Sequence, residues 1–391
     1  MRSLHDFCVR QLPELRQLID TGKMRTLRAL LLLVAGCSTD LVADPTSTPV
    51  DDPTSELAPA PGHPGAVQYG VDVCHVNAWT QIAGASDTLQ IAVVPLDQGA
   101  AILSVPAAGG ALIGFTIDQY GQQTGAATGS ILRDGKFSSV RAGFVDGRLV
   151  AAIGDGRTME VDALRSDLSD YRKLFEIEGT FAAQVPVTHA RNTRIVPIAS
   201  AVGVSYTTFD TQWQETHSVL GFRDQTIGMD AIGIGGLTGD TVTAWSTRNE
   251  CHIERLVGRE AWTGRGACAS PRLAAHGSTA TMAFERDGKI GVANLRGDAS
   301  DLKSIAFLPE LGHAPRVVFD GTRTWLSYID AHGQVVVGFL GPDGKLVGRL
   351  IDESPSNGAY ELAMINGAPW MVTANATGYY AYEMCVAPIG H

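Results

Sequence analysis

Ser270-Pro271-Arg272-Leu273-Ala274-Ala275-His276-Gly277 is followed by Thr281-Met282-Ala283-Phe284 and then by Lys289-Ile290-Gly291-Val292-Ala293. Further along, Ala314-Pro315-Arg316-Val317-Val318-Phe319-Asp320-Gly321 is followed by Trp325-Leu326-Ser327-Tyr328 and by Gln334-Val335-Val336-Val337-Gly338. The two passages are one unit written twice: strand, turn, strand, turn, strand. Each apolar run is short and bounded by Gly or Asp, the pattern of strands rather than helices. No helical periodicity interrupts residues 67–391, so an all-β domain is expected there.

The unit recurs more faintly along that whole segment. Markers in the middle of its second strand fall at Ile102, Val150, Pro197, Thr243, Met282, Leu326 and Met371, spaced 39 to 48 residues apart. A repeat of about 45 residues suits four short strands. On these repeats the segment resembles a seven-bladed β-propeller with four-stranded blades. A stacked solenoid is the alternative, at the cost of open edges that need caps. Asp-Gly pairs at 134–135, 146–147, 155–156, 287–288, 320–321 and 343–344 read as type I′ hairpin turns. None continues into the spaced acids and distal Glu of a calcium loop.

The first 66 residues read as an address and a tether. From Met24 a basic start and a short apolar stretch lead to Val34-Ala35-Gly36-Cys37. That ending resembles a bacterial lipoprotein signal, which implies lipidation of Cys37 and a membrane partner reached through the lipid anchor. Residues 1–36 form the expected leader, with Met24 a plausible true start. Residues 37–66 form the expected tether, with six prolines and five acids and no Lys or Arg until Arg133. Such a stretch has too little apolar area to offset its ordering entropy. Loss of residues 1–36 removes six basic and three acidic side chains and takes the net charge from −11 to −14. With 30 basic against 41 acidic residues, a nucleic-acid partner is not expected. No apolar run reaches the ~18 residues of a spanning helix.

With Cys8 in the leader and Cys37 lipidated, Cys74, Cys251, Cys268 and Cys385 remain. An even number in an exported chain points to two disulfides. Cys251 and Cys268 are expected opposite each other in a hairpin centred near Arg259–Glu260. In a ring closed by a blade combining both chain ends, Cys74 meets Cys385. The echo of Cys74-His75 in Cys251-His252 raises a zinc site as the rival. Neighbouring strand residues point to opposite faces, which argues against it, and no metal is expected.

Aligning the first strand of every unit gives one shared column: Gln90, Arg141, Gln184, Asp230, Arg272, Arg316 and Glu361. In a propeller these strands surround a central channel, so the column forms a polar ring at one mouth. Read functionally, it is a ligand site for an anion or sugar acid, since Arg matches carboxylate bidentately. Read structurally, it is a self-satisfied ring in which Arg272 or Arg316 pairs with Asp230 or Glu361.

Three arginines on one ligand resemble the sialidases, six-bladed propellers with an arginine triad, a Tyr nucleophile and Asp-box turns. Asp320-Gly321-Thr322-Arg323-Thr324-Trp325 matches an Asp-box only in part, and no Tyr–Glu pair can be assigned from the sequence. Nucleophile-elbow, zinc-protease and phosphate-loop motifs are absent, and no cofactor is implied. His189, His276, His313 and His332 fall near turns and are expected at the surface. The chain thus reads as an exported lipoprotein of the bacterial envelope, at the outer membrane or cell surface, carrying a non-catalytic binding or scaffold module for a protein or glycan. A glycosidase-like enzyme and a subunit of an envelope assembly are the alternatives.

Overall fold

The computed structural model describes residues 69–388 apart from 80–87, 107–109, 125–129, 146, 179–187, 191–192, 201–202, 211, 223–227, 235–239, 256–260, 296–304, 342–344, 352–354 and 356–357. The expected leader and tether, with Cys37, lie outside these residues, as do Gln184 and Asp343-Gly344. The architecture is all-β, with every sheet antiparallel and arranged as in a propeller. Among the described residues no helix is long and apolar enough to cross a membrane.

Among the described residues four sheets have four strands. Three follow the chain directly, running from Ser139–Val145 to Arg172–Glu178, from Thr188–Ala190 to Glu215–Phe222, and from Gly228–Ile234 to Ala261–Arg265. The fourth joins both ends of the domain, with Tyr69–Trp79 pairing on Gly378–Pro388 beside Ala368–Asn375 and Tyr360–Ile365. The remaining two sheets depart from the expected seven separate four-stranded ones. In one, both Gln123–Thr124 and Ser130–Phe137 pair with Gly110–Ile117, making five strands. In the other, the 14-residue strand Ala306–Phe319 pairs through Ala306–Leu311 with Lys289–Leu295 and through Gly312–Phe319 with Thr324–Asp330. That shared strand joins seven strands into one sheet.

Strands such as Gly99–Pro106 and Arg148–Gly154 read as unbroken apolar runs because they are buried on both faces. In Thr88–Leu96, Ile91 and Val93 pack into one cluster with Trp370 and Tyr379, while Ala92 and Val94 pack into another with Leu112 and Leu149. Successive side chains point to opposite faces, so a single strand serves two inter-sheet cores. The first strands of neighbouring sheets adjoin in a cycle. Thr88–Leu96 touches Ser139–Val145 and Tyr360–Ile365; Thr188–Ala190 bridges Ser139–Val145 to Gly228–Ile234; Ala269–His276 links the latter to Ala306–Phe319, which reaches Tyr360–Ile365.

Both cysteine pairs are disulfides. Cys74 occupies a bulge between Val73 and His75 and is bonded to Cys385, 6.0 Å away between Cα atoms and 311 residues along the chain. Cys251–Cys268 spans 5.2 Å. The expected cross-strand placement of the second pair needs correction. Gly264 stands opposite Cys251, and Cys268 lies beyond the strand end at Arg265. The chain turns back at Gly266, at φ 86°, and the Cys268 amide bonds to the Ser246 hydroxyl.

The Asp-Gly pairs divide. Asp287-Gly288 has both residues at positive φ, as a type I′ turn requires. Asp134-Gly135 is inside the strand Ser130–Phe137 and is not a turn. At Asp155 and Asp320 the carboxylate itself accepts two backbone N–H bonds, from 157 and 158 and from 322 and 323, so an Asx turn replaces the type I′ geometry.

Candidate functional site

The repeat that opens each of the two clearest units also aims its arginine. Ser270 and Ala314 have φ of 49° and 53°, and the strand register slips there, between Ala269 and Arg272 and between His313 and Arg316. A bulge adds a residue on one strand and re-aims the next side chain. Holding a non-Gly residue at such a φ costs of order 1 kcal/mol. At the second unit the arginine itself helps hold the bulge, since Arg316 Nη1 donates to the carbonyls of Ala314 at 3.1 Å and Pro315 at 2.9 Å. The Tyr360 hydroxyl donates to the same Ala314 carbonyl, and the Arg316 guanidinium lies 4.9 Å from the Tyr360 ring centre.

Arg141, Arg272 and Arg316 meet on one carboxylate. Arg316 Nε lies 3.1 Å from Glu361 Oε1, while Arg272 Nη2 and Arg141 Nη1 lie 3.6 Å and 3.8 Å from Oε2. All four side chains are at most 14% exposed. Burial pulls the Arg141 guanidinium below its ordinary value, opposed by the charges of Asp230 and Glu361 and reinforced by Arg316. Arginine stays cationic over any working pH regardless. A cavity of about 420 Å³ is lined by Arg141, Asp230, Arg272, Arg316 and Glu361, and one of about 190 Å³ by Gln90, Tyr360 and the same three arginines.

Two column members do other work as well. Gln90 Oε1 accepts the Val140 amide at 3.1 Å, and Asp230 Oδ2 accepts the Leu273 amide at 2.8 Å. Each ties its own inner strand to the next sheet, at the residue beside Arg141 or Arg272. The column therefore separates into arginines around Glu361 and polar straps between sheets.

A second charged cluster was not anticipated. Glu160 and Asp162 alternate with apolar residues in Thr158–Leu164, so both face the same side of the strand. Asp162 is fully buried, and the Tyr171 hydroxyl contacts both Asp162 and Glu160. Arg133 and Lys173 pair with Glu160 at 3.2 Å and 3.0 Å from positions about 40% exposed. Burial first, then the neighbouring Glu160 charge, raises the Asp162 carboxyl to about 7. Burial acts the same way on Glu160, but bonds from Lys173 and Tyr171 and the charge of Arg133 hold it below the usual range. One hydroxyl has a single proton to give, so the second contact is satisfied when Asp162 carries one. The two carboxylates lie on the third strand of the sheet whose first strand bears Arg141, and Tyr171 immediately precedes its fourth strand, Arg172–Glu178. The signal that would have found it is the Glu-x-Asp spacing within an otherwise apolar strand.

The histidine expectation is corrected in one place. His276 is half-buried, its ring stacked on Phe319 at 4.1 Å and its Nε2 sharing a 2.6 Å hydrogen bond with the Thr281 hydroxyl. His313 and His332 are exposed, and the side chain of His189 lies outside the described residues. Among the described residues no cluster of three or more His, Cys, Asp or Glu is placed to hold a metal.

No protein-family model and no curated protein matches the chain. Solved structures do match its fold. BBS1N in complex with ARL6DN is similar at 11% identity and a TM-score of 0.55, over 81% of this chain and 97% of that one. A chain of the Mitotic Checkpoint Complex is similar at 11% identity and a TM-score of 0.51, over 80% and 93%. At this identity the likeness extends to the fold alone.

Proposed function

We propose that this chain is an exported, non-catalytic propeller that acts as a binding or scaffold module for a protein partner. The ring closure carries the reading: the first and last described strands share one sheet, and the Cys74–Cys385 disulfide locks them together. A closed, cross-linked ring is a rigid platform that loses little entropy on engaging a partner. Two disulfides fit an oxidising compartment. Both solved structures named above are protein complexes. Exposed Phe307 and Leu311, the latter on the rim of a groove of about 650 Å³, favour a protein over a sugar partner.

Seven blades is the count we favour. Dividing the seven-stranded sheet within Ala306–Phe319, where pairing passes from Lys289–Leu295 to Thr324–Asp330, yields two four-stranded units. The sheet with two alternative outer strands supplies one more, beside the four separate sheets. The seven repeat markers each fall on the second strand of a unit so defined. On the N-terminal side the reading is a leader over 1–36, lipidation at Cys37, a tether over 37–66 and the propeller over 67–391, held at the bacterial envelope.

A photo-crosslinking amino acid at Leu311 in the full-length chain, expressed in a bacterial host, should give a discrete protein adduct that the same probe at exposed Arg157 does not. Equal labelling at both positions, or turnover of aryl glycosides by the purified protein, overturns the reading. Cys37→Ser should move the protein from the membrane to the soluble fraction. Retention on membranes after a high-salt wash would count against the anchor.

A further inference from the structure

We propose that the channel cluster is a binding site for a small carboxylic acid with an apolar body, its carboxylate received by Arg272 together with Arg141. The proposal goes beyond the scaffold reading and does not need a protein partner. It begins with what each guanidinium is tied to. Arg316 is committed to its own bulge, with its Nη1 on two carbonyls and Tyr360 against its plane, while its buried Nε, 3.1 Å from Glu361 Oε1, has no aligned hydrogen-bond acceptor among the described residues. Arg272 is different. Its side chain is only 8% exposed, yet among the described residues its one ion-pair partner is Glu361 Oε2 at 3.6 Å, outside hydrogen-bond range. A guanidinium presents five donors in a fixed fork, and an ion pair at 3.6 Å aligns none of them with Glu361.

Charge arithmetic points the same way. Three arginines face Glu361 and Asp230, and Asp230 spends an oxygen on the Leu273 amide. The cluster thus carries a local positive excess inside a chain of net charge −11. A bound anion cancels that excess, and a carboxylate matches the fork in two parallel bonds. Arg272 and Arg141 both line the cavity of about 420 Å³, within the usual range for a small-molecule site.

The wall selects among carboxylates. Pro95, Val318, Phe319 and Met364, none of them fully buried, line the cavity beside the charges, so the body of the ligand meets hydrocarbon. A sugar acid would bring several hydroxyls against that wall with few groups to receive them, at a desolvation cost an aliphatic or aromatic acid avoids. The sugar-acid expectation from the sequence is therefore narrowed to an apolar carboxylate.

The test uses purified full-length protein, with benzoate and hexanoate as probes and benzamide, hexanamide and glucuronate as matched comparisons at constant ionic strength. The thermal midpoint should rise with benzoate or hexanoate and stay fixed with the amides. Calorimetric titration should give one site, weakened at least tenfold by Arg272→Lys, which keeps the charge and the stem but removes the fork. The substituted lysine retains a cation beside Glu361, and the variant's own melting curve checks that it folds. A wild-type response to neither acid, or equal affinity for wild type and Arg272→Lys, overturns the proposal. A response to glucuronate alone overturns the apolar-body assignment. Neither result bears on crosslinking at Leu311, so failure here and failure of the scaffold reading are separately visible.

Discussion

The channel cluster and the Glu160–Asp162 cluster use the same side-chain chemistry with opposite balance. In the channel, three buried guanidiniums share the carboxylate of Glu361. Between sheets, two carboxyls share the hydroxyl of Tyr171, and the cations Arg133 and Lys173 stand at the exposed rim. A buried site in excess of cation is neutralised most readily by an anion. One in excess of carboxylate is neutralised by a proton, since a carboxyl can change its own charge and an arginine cannot. The sign of the excess thus decides whether a buried cluster answers to ligands or to pH.

Breaking the channel side gives the largest expected effect. Glu361→Ala removes the shared counter-charge and leaves mutually repelling guanidiniums in a buried site, which should cost about 3–5 kcal/mol. Glu361→Gln keeps the volume and an acceptor and should cost less. Urea unfolding monitored by tryptophan fluorescence measures both. A loss under about 1 kcal/mol for the alanine variant would mean that water already screens the cluster.

The second cluster should respond to pH instead. Asp162 has a folded value of about 7, above its unfolded value, so its contribution is fully present below the unfolded value and is lost as pH rises through 7. Glu160 is held low, so its contribution runs the other way and is complete above the ordinary carboxylate range. Between pH 5 and pH 8 Asp162 titrates with Tyr171, Arg133 and Lys173 facing the pair and keeping their charge states, while half-buried His276, held below its ordinary value by burial, adds stability as pH rises. The difference between wild type and Asp162→Asn isolates Asp162, and relative to that variant wild type should lose stability across the interval, on the order of 2 kcal/mol. Parallel slopes for the two proteins would show that Asp162 is ionised throughout.

The sequence made these two clusters unequally visible. Arg272 and Arg316 stand at the same place in two repeats, and a shared register within a ring brings equivalent positions to one axis. The column is therefore legible in the sequence. Glu160 and Asp162 belong to no repeat; their meeting with Tyr171 and Arg133 depends on how the outer strands of two sheets face each other. The bulges at Ser270 and Ala314 were hidden because a residue before proline is expected to be extended, and only the register slip shows otherwise. A third device is carried by an Asp-x-x-x-Gln spacing. Asp118, Asp210 and Asp330 each accept backbone N–H bonds from the residues two and four ahead, the last being Gln122, Gln214 and Gln334. Each loop has its fourth residue at positive φ, Gly121, Trp213 or Gly333, a three-residue hairpin connection closed by a left-handed residue. Gly at two of the three positions fits that need, whereas Trp213 disguised the third.

The smallest effect sharpens the contrast from the cationic side. Arg133 lies on Ser130–Phe137, in a different sheet from Glu160, and its side chain is 42% exposed. A partly solvated pair of this kind contributes well under about 1 kcal/mol, so Arg133→Gln should barely move the melting temperature at neutral pH. Its influence on the carboxyl pair should still be measurable. The Arg133 charge is one of the forces opposing protonation of Asp162, so removing it should push the midpoint of the pH-stability curve upward. High salt should mimic the substitution in wild type and do little in the variant, because a rim charge is screened and a buried one is not. In the channel, Arg316→Gln is the counterpart. There the arginine lies inside the cluster and holds the Ala314 bulge, so a salt-insensitive loss of stability is expected. Equal salt dependence for Arg133→Gln and Arg316→Gln would erase the distinction between a rim cation and a cation at the centre of its cluster.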